Sequence, residues 1–85
     1  MARFGEVLGD VLSEQRLSQK EFASLVSYHD SVVSRLINNP QLPRWVDFRE
    51  VKRMTLRIGC TEAQVGKLIV SFICDSLRGK GLDDA

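Results

Sequence analysis

LSQKEFASLVSYHDSVVSRLINN, residues 17–39, is the stretch that decides the fold. Ser18 and Glu21 stand at the spacing of a capping box, in which each side chain bonds the other residue's backbone amide at a helix start. The apolar residues that follow fit one face of a short helix. Ser27 and the two residues after it break this pattern. We therefore predict a helix that starts at Ser18 and stops before a tight turn.

A second short helix follows that turn. Asp30 or His29 caps it, and aspartate is the better acceptor for the free amides at a helix start. Pro40 ends the helix, because a proline holds its predecessor out of helical backbone. Its apolar residues recur at the spacing of one buried face and are Val33, Leu36 and Ile37. Its other face carries Ser31, Ser34, Arg35 and Asn38. Two short helices around a tight turn predict a helix-turn-helix.

In these residues the chain resembles the phage-repressor/Cro-type helix-turn-helix family, also called the xenobiotic-response-element type. The family pattern runs L-S-Q-x-x-L-A-x-x-x-G, then about five residues, then I-S-x-[IL]-E-x-G. The matching residues are Leu17, Ser18, Gln19, Phe22 (for Leu), Ala23, Val33 (for Ile), Ser34 and Leu36. The resemblance implies an all-α, compact five-helix, lambda-repressor-like domain that binds DNA.

The chain departs from the family pattern at four positions. Ser27 replaces the turn glycine, so Ser27 must tolerate a left-handed backbone or the turn differs. Ile37 replaces an acid, and Leu12 stands where many members carry a base, which we interpret as an apolar contact in place of a buried ion pair. Asn39 replaces the closing glycine, as the next best residue for a left-handed position.

Two further helices flank this pair. Apolar spacing predicts the first over 3–16, where Gly5 and Gly9 are either simply tolerated or let another helix approach closely. The fourth is predicted to begin at about residue 44 or 45 and to run to residue 58, with Phe48 turned inward. Gly59 is then its left-handed stop.

The fifth helix, predicted over 62–78, starts at a second capping box formed by Thr61 and Gln64. It carries more apolar residues than one buried face needs. The residues predicted to close the core are Leu68, Ile69 and Phe72, with Val65 as a further candidate. Surplus apolar surface indicates a partner, and a two-fold contact of this helix predicts a homodimer. The predicted dimer interface comprises Val70, Ile73, Cys74 and Leu77.

Composition limits the class of protein. The chain of 85 residues suits one domain with a small core, which we assign to residues 1–78, with 79–85 as a flexible tail or the stub of a linker to an additional domain. It has no apolar run long enough to span a membrane and no signal-peptide pattern, so we expect a cytoplasmic protein. Cys60 and Cys74 are too few and too far apart for a metal site or a redox pair. The chain has one histidine and no phosphate-binding loop. We therefore expect that it is not an enzyme and that it binds no cofactor.

The basic residues are unevenly distributed, although the net charge is only +1. Residues 35–57 carry six Arg or Lys against two acidic residues, whereas both flanking segments are slightly acidic. This local stripe is what would meet DNA phosphates. The alternative interpretation is an ordinary solvated helix face.

A helix-turn-helix places the start of its second helix in the major groove, which assigns DNA roles to particular residues. Arg35 can bond guanine O6 and N7 together. The base-contacting candidates are Asp30, Ser31, Ser34 and Arg35, with the helix cap as the alternative role of Asp30. The phosphate candidates are Gln19, which the resemblance implies, with Tyr28, His29, Asn38 and Arg44. For His29, an exposed turn residue without contact is the alternative.

These features predict a sequence-specific transcriptional regulator from a bacterium or phage. It would be a repressor that binds a pseudo-palindromic operator in double-stranded DNA as a homodimer. The alternative is a helix-turn-helix module that binds a protein partner, as an antitoxin-like regulator does.

Overall fold

The computed structural model describes residues 3–39 and 42–79. Within them the chain forms five α-helices and no strand, so the all-α prediction is confirmed there. The helices are α1 (Phe4–Glu14), α2 (Gln19–Val26), α3 (Asp30–Asn38), α4 (Phe48–Ile58) and α5 (Glu62–Gly79). The predicted tail lies outside the described residues except for Gly79, which belongs to α5.

All five helices contribute to one core. α1 packs against α3 and α5, α2 packs against α3 and α4, and α4 also packs against α5. Each fully buried apolar side chain contributes about 1.5–3 kcal/mol of burial free energy before the entropy cost of folding. The largest fully buried side chains are Phe4, Leu8, Val11, Phe22, Val26, Val33, Val51, Met54 and Leu68.

Both predicted capping boxes are confirmed. The backbone amide of Glu21 donates to Ser18 Oγ and the amide of Ser18 donates to Glu21 Oε1, each at 3.0 Å. At the start of α5, the amide of Gln64 donates to Thr61 Oγ1 at 3.2 Å and the amide of Thr61 donates to Gln64 Oε1 at 3.1 Å. Gln64 Oε1 also accepts from Gln15 Nε2 at 2.9 Å, which ties the end of α1 to the start of α5.

Left-handed residues end three of the helices. Ser27 has φ 63° and ψ 41°, so it adopts the left-handed backbone that the missing turn glycine demanded. Gly59 does the same after α4, as predicted, with φ 65°. Arg16 also has a positive φ of 59°, which the sequence did not predict. A side chain in this region costs roughly 1 kcal/mol, so the packing around Ser27 and Arg16 must offset that strain.

Helix α4 begins later than predicted. Its N-cap is Asp47, whose carboxylate accepts from the amide of Glu50 at 2.9 Å, so a start at residue 44 or 45 is wrong. The aspartate supplies the cap acceptor that neither earlier residue has. Phe48 becomes the first helical residue and is 47% exposed, so its predicted inward position is also wrong. Val46 is buried just before the helix.

At the start of α3 the structure chooses between the two predicted caps, and at its end the predicted left-handed Asn39 is wrong. The N-cap is His29, without a side-chain cap bond, and Asp30 is already the first helical residue. Asn39 is extended, with φ −77° and ψ 130°, and not left-handed. Pro40 follows Asn39 and favours extended backbone in the residue before it.

A buried carboxylate joins the two ends of the fold. Asp75 of α5 accepts a hydrogen bond at 2.8 Å from the amide of Phe4, the first residue of α1. A carboxylate is favourable there because the first amides of a helix have no internal partner and carry a partial positive charge. The bond fixes the far part of α5 against the start of α1.

The backbone of α1 approaches the end of α3 closely at Gly5. A Cβ added at Gly5 would lie 2.6 Å from the carbonyl oxygens of Leu36 and Ile37. A Cβ at Gly9 would meet only Ile37 Cγ2, at an ordinary 3.7 Å. Of the two explanations for these glycines, close approach therefore applies to Gly5 and tolerance applies to Gly9.

Substitution of the two glycines should therefore have opposite effects. We expect Gly5→Ala to lower the free energy of unfolding by about 1–3 kcal/mol, because the methyl group forces α1 and α3 apart. Gly9→Ala is the matched control and should raise it by about 0.5–1 kcal/mol through reduced backbone entropy. Urea unfolding followed by circular dichroism measures both. Equal effects at the two positions would contradict the close approach.

Candidate nucleic-acid interface

The outer face of α3 carries the polar residues that the sequence placed there. Ser31, Ser34, Arg35 and Asn38 are all exposed, at the spacing of one helix face. Asn38 Nδ2 donates to Ser34 Oγ at 3.3 Å. The opposite face is anchored, since Val33 and Leu36 are buried in the core. The packing of the inner face therefore holds the polar row outward.

An open groove of about 330 Å³ lies beside this row. Two guanidinium side chains line it, Arg35 from α3 and Arg44 from the segment that leads to α4. Both residues are exposed, and so is Trp45 next to them. Concentrated positive charge at a groove favours anions. The residues that line it are Val32, Arg35, Asn39, Leu42, Pro43, Arg44 and Trp45.

Three other predicted contact residues lie at helix starts. Gln19 is the first residue of α2, His29 is the N-cap of α3, and Asp30 is the first residue of α3. All three are exposed. The free amides of such helix starts favour phosphate, whereas the charge of Asp30 opposes it.

Tyr28 occupies a different environment from the one its predicted phosphate role requires. Its hydroxyl donates to the Glu50 carboxylate, and its half-buried ring meets Phe22 and Trp45 edge-on, with centroid distances of 6.2 and 5.3 Å. Burial raises the pKa of Tyr28 above its ordinary value, and the bond to Glu50 adds to the rise. Its phosphate contact stays a prediction, but its hydroxyl already has a partner.

Arg53 of α4 holds the turn between α2 and α3, a role that sequence reasoning missed. Its Nη2 donates at 2.8 Å both to the Val26 carbonyl and to Glu50 Oε2. The guanidinium carbon also lies 5.5 Å from the centroid of the Tyr28 ring. Val26 ends α2, where carbonyls lack helical partners. We call this group of Tyr28, Glu50, Arg53 and the Val26 carbonyl the Arg53 clamp.

Only part of the Arg53 clamp has a signal in the sequence. The spacing of Glu50 and Arg53 permits an ion pair on one helix, but it is equally common on solvated faces. The bonds to Val26 and Tyr28 join residues that are distant along the chain, so no local pattern indicates them.

The second candidate surface lies on α5. Val70, Ile73 and Leu77 are 57%, 46% and 43% exposed, and Cys74 is half-buried beside them. The prediction that other α5 residues close the core is confirmed, because Leu68 is buried and Ile69 and Phe72 pack against the core. An apolar strip of this helix therefore remains in solvent.

The part of the chain that the structure describes was compared with the geometry of a metal site and of a membrane span. No three His, Cys, Asp or Glu side chains there gather closely enough to hold a metal ion. None of the helices described has the length and apolar character needed to cross a membrane. No family model, curated protein or solved structure matches the chain.

The Arg53 clamp should contribute measurably to stability. We expect Arg53→Met to lower the free energy of unfolding at pH 7 by about 1–2 kcal/mol, because the Val26 carbonyl and Glu50 lose a charged donor. Arg49→Met is the control, since Arg49 is exposed on the same helix and has no side-chain partner among the described residues. It should change stability by less than about 0.5 kcal/mol. Urea titrations compare the three proteins.

The cost of Arg53→Met should shrink in acid. The hydrogen bond from Arg53 holds the pKa of Glu50 below its ordinary value. Stability from such a carboxylate is present above the pKa of unfolded glutamate, about 4.3, and is lost as the pH falls through its folded pKa. The difference between wild type and variant should therefore narrow below about pH 4.3. A constant difference from pH 7 to pH 3 would show that the Glu50 charge is not involved.

Proposed function

We propose that the chain is a sequence-specific DNA-binding regulator of transcription, with α2, residues 27–29 and α3 as its helix-turn-helix. The observation that carries this proposal is the exposed row of Ser31, Ser34, Arg35 and Asn38, whose opposite helix face is buried. A helix anchored on one side and polar on the other can enter the major groove without losing its contacts to the domain.

Base contacts come from the first two turns of α3. Arg35 bonds guanine O6 and N7 together, the contact with the most sequence information in the set. Ser31 and Ser34 donate to or accept from neighbouring base edges. Asp30, exposed at the first position of α3, accepts from a cytosine amino group.

Phosphate contacts position the domain around these bases. Arg44 shares the groove with Arg35, so one can hold the DNA backbone while the other reaches the base edge. Gln19 and His29 add contacts at the starts of α2 and α3, and Asn38 adds one at the end of α3. Tyr28 supports the turn through the Arg53 clamp, and its phosphate contact stays a prediction.

The regulator acts in the cytoplasm as a homodimer. Val70, Ile73 and Leu77, with Cys74 at their edge, form a strip that a second copy covers through a two-fold contact. Two copies then present two α3 helices to a pseudo-palindromic operator, and their separation sets the spacing of its half-sites.

The first test is the particle mass in solution by light scattering, alone and with a random-sequence duplex, at low and moderate salt. We expect a dimer whose affinity for duplex falls steeply as salt rises, because phosphate contacts release counterions. A particle that does not bind duplex even at low salt would contradict the proposal. The protein-binding regulator would then be the better hypothesis.

A preferred operator is first selected from a pool of random duplexes. Two arginine variants, measured on this operator, then distinguish a base contact from a phosphate contact. Arg35→Ala should weaken specific binding by about 10–100-fold and reduce discrimination against other sequences, because a guanine loses its bidentate partner. Arg44→Ala should weaken binding to all DNA sequences alike. It should also reduce the slope of log affinity against log salt concentration by about 1. Competition titrations at fixed salt measure both. An unchanged ratio of specific to non-specific affinity in Arg35→Ala would refute the base contact.

Charged substitutions on α5 test the dimer. Val70→Glu or Leu77→Glu should halve the mass in solution, because a carboxylate buried in an apolar contact loses its hydration without a partner. Leu25→Glu is the matched control, since Leu25 on α2 is exposed to a similar extent at 42%. Light scattering over a concentration series gives the mass of each. A dimer that survives both α5 variants would exclude this interface.

A further inference from the structure

A second exposed apolar row lies on α4, away from the strip on α5. Phe48 and Leu56 are 47% and 80% exposed, and Leu56 is the most exposed large hydrophobic residue in the described chain. Lys52 stands between them at helical spacing, and its Nζ lies 5.8 Å from the centroid of the Phe48 ring. The three side chains form one continuous row along the helix.

The core does not need this row. α4 is held to the domain by its opposite face, where Val51, Met54 and Ile58 are buried. Phe48 and Leu56 therefore place apolar surface in solvent without supporting the packing of α4. Exposed apolar surface that is rimmed by polar residues is typical of an interaction site.

The charges around the row have one sign. Arg49 and Lys52 are exposed, and within the described residues neither of them forms an ion pair. The two carboxylates nearest in sequence are both engaged. Asp47 caps α4, and Glu50 bonds Arg53 and Tyr28. The face therefore carries two cations, and the two carboxylates nearest in sequence are not available to pair with them.

We propose that this α4 face, formed by Phe48, Arg49, Lys52 and Leu56, binds an acidic amphipathic segment of a partner protein. Phe48 and Leu56 contact the apolar side chains of that segment, and the two cations pair with its carboxylates. Charge complementarity of this kind selects the partner and speeds encounter, while the apolar contacts supply the buried centre. The proposal stands apart from the DNA contacts assigned to α3.

DNA and lipid fit this face less well than an acidic protein segment does. The phosphates of DNA would pair with the cations of this face, but they would leave Leu56 without an apolar partner. Binding to an anionic bilayer needs a broad apolar face to enter the headgroup region, whereas only two apolar side chains project here. Aromatic residues and arginine are, in contrast, enriched at protein interfaces.

The experiment titrates the full-length, ¹⁵N-labelled chain with a synthetic helical peptide that has leucine at i, i+4 and i+7 and glutamate at its other exposed positions. We expect saturable shifts confined to the amides of residues 48–57. A peptide with lysine in place of each glutamate should not bind. Leu56→Asp and Lys52→Glu should each lower the affinity for the acidic peptide by about tenfold or more. Leu25→Asp, an exposed leucine on α2, should leave the affinity unchanged.

Unsaturable shifts, shifts centred on α5, or an unchanged affinity in Leu56→Asp would overturn the proposal. The same variants are also measured against random-sequence duplex and against vesicles of phosphatidylglycerol and phosphatidylcholine. A loss of duplex or vesicle binding in Leu56→Asp would assign the face to nucleic acid or lipid instead. The melting temperature of each variant is compared with that of the wild type by thermal unfolding. Because Leu56 is exposed, we expect its substitution to leave the melting temperature unchanged. A chain that fails to bind any duplex would defeat the proposed function and leave the peptide result standing.

Discussion

Burial of the inner face of α3 is the constraint on which the rest of the structure depends. A helix of this length is not stable alone, so its position comes from packing. Val33 and Leu36 supply the buried side chains, and the close passage of Gly5 lets α1 lie against the end of α3. The exposed polar row on α3 is a consequence, because a helix anchored on one face must present the other.

The turn between α2 and α3 is held from outside by α4. Left-handed backbone at Ser27 costs roughly 1 kcal/mol, and a charged hydrogen bond is typically worth about 1.5–3 kcal/mol. The donor from Arg53 to the Val26 carbonyl is therefore large enough to offset the strain one residue later. Glu50 orients Arg53 and Tyr28 together, so α4 fixes the angle at which α3 leaves the turn.

The basic stripe of the sequence separates into three parts in three dimensions. Arg35 and Arg44 share a groove beside α3. Arg53 is half-buried and bonded to the Val26 carbonyl and Glu50. Arg49, Lys52 and Arg57 are exposed on α4, and the first two lie on the same face as Phe48 and Leu56. Basic residues that are neighbours in the sequence therefore take part in two separate proposed contacts, with DNA at α3 and with a protein segment at α4, and in one set of bonds within the domain.

Local chemistry let the sequence alone predict both capping boxes and the two-faced pattern of α3, because each depends on residues within one or two helical turns. For Ser27 the sequence left two outcomes open, a left-handed backbone or a different turn, and the structure has the left-handed one. The start of α4 differs from the prediction, although the Asp47 cap that sets it is also a local feature of the sequence. Only the tertiary structure revealed the roles of Gly5, Tyr28, Arg53 and Asp75. Each of these meets atoms that are distant in sequence, and spacing along a chain carries no information about which distant atoms packing brings together.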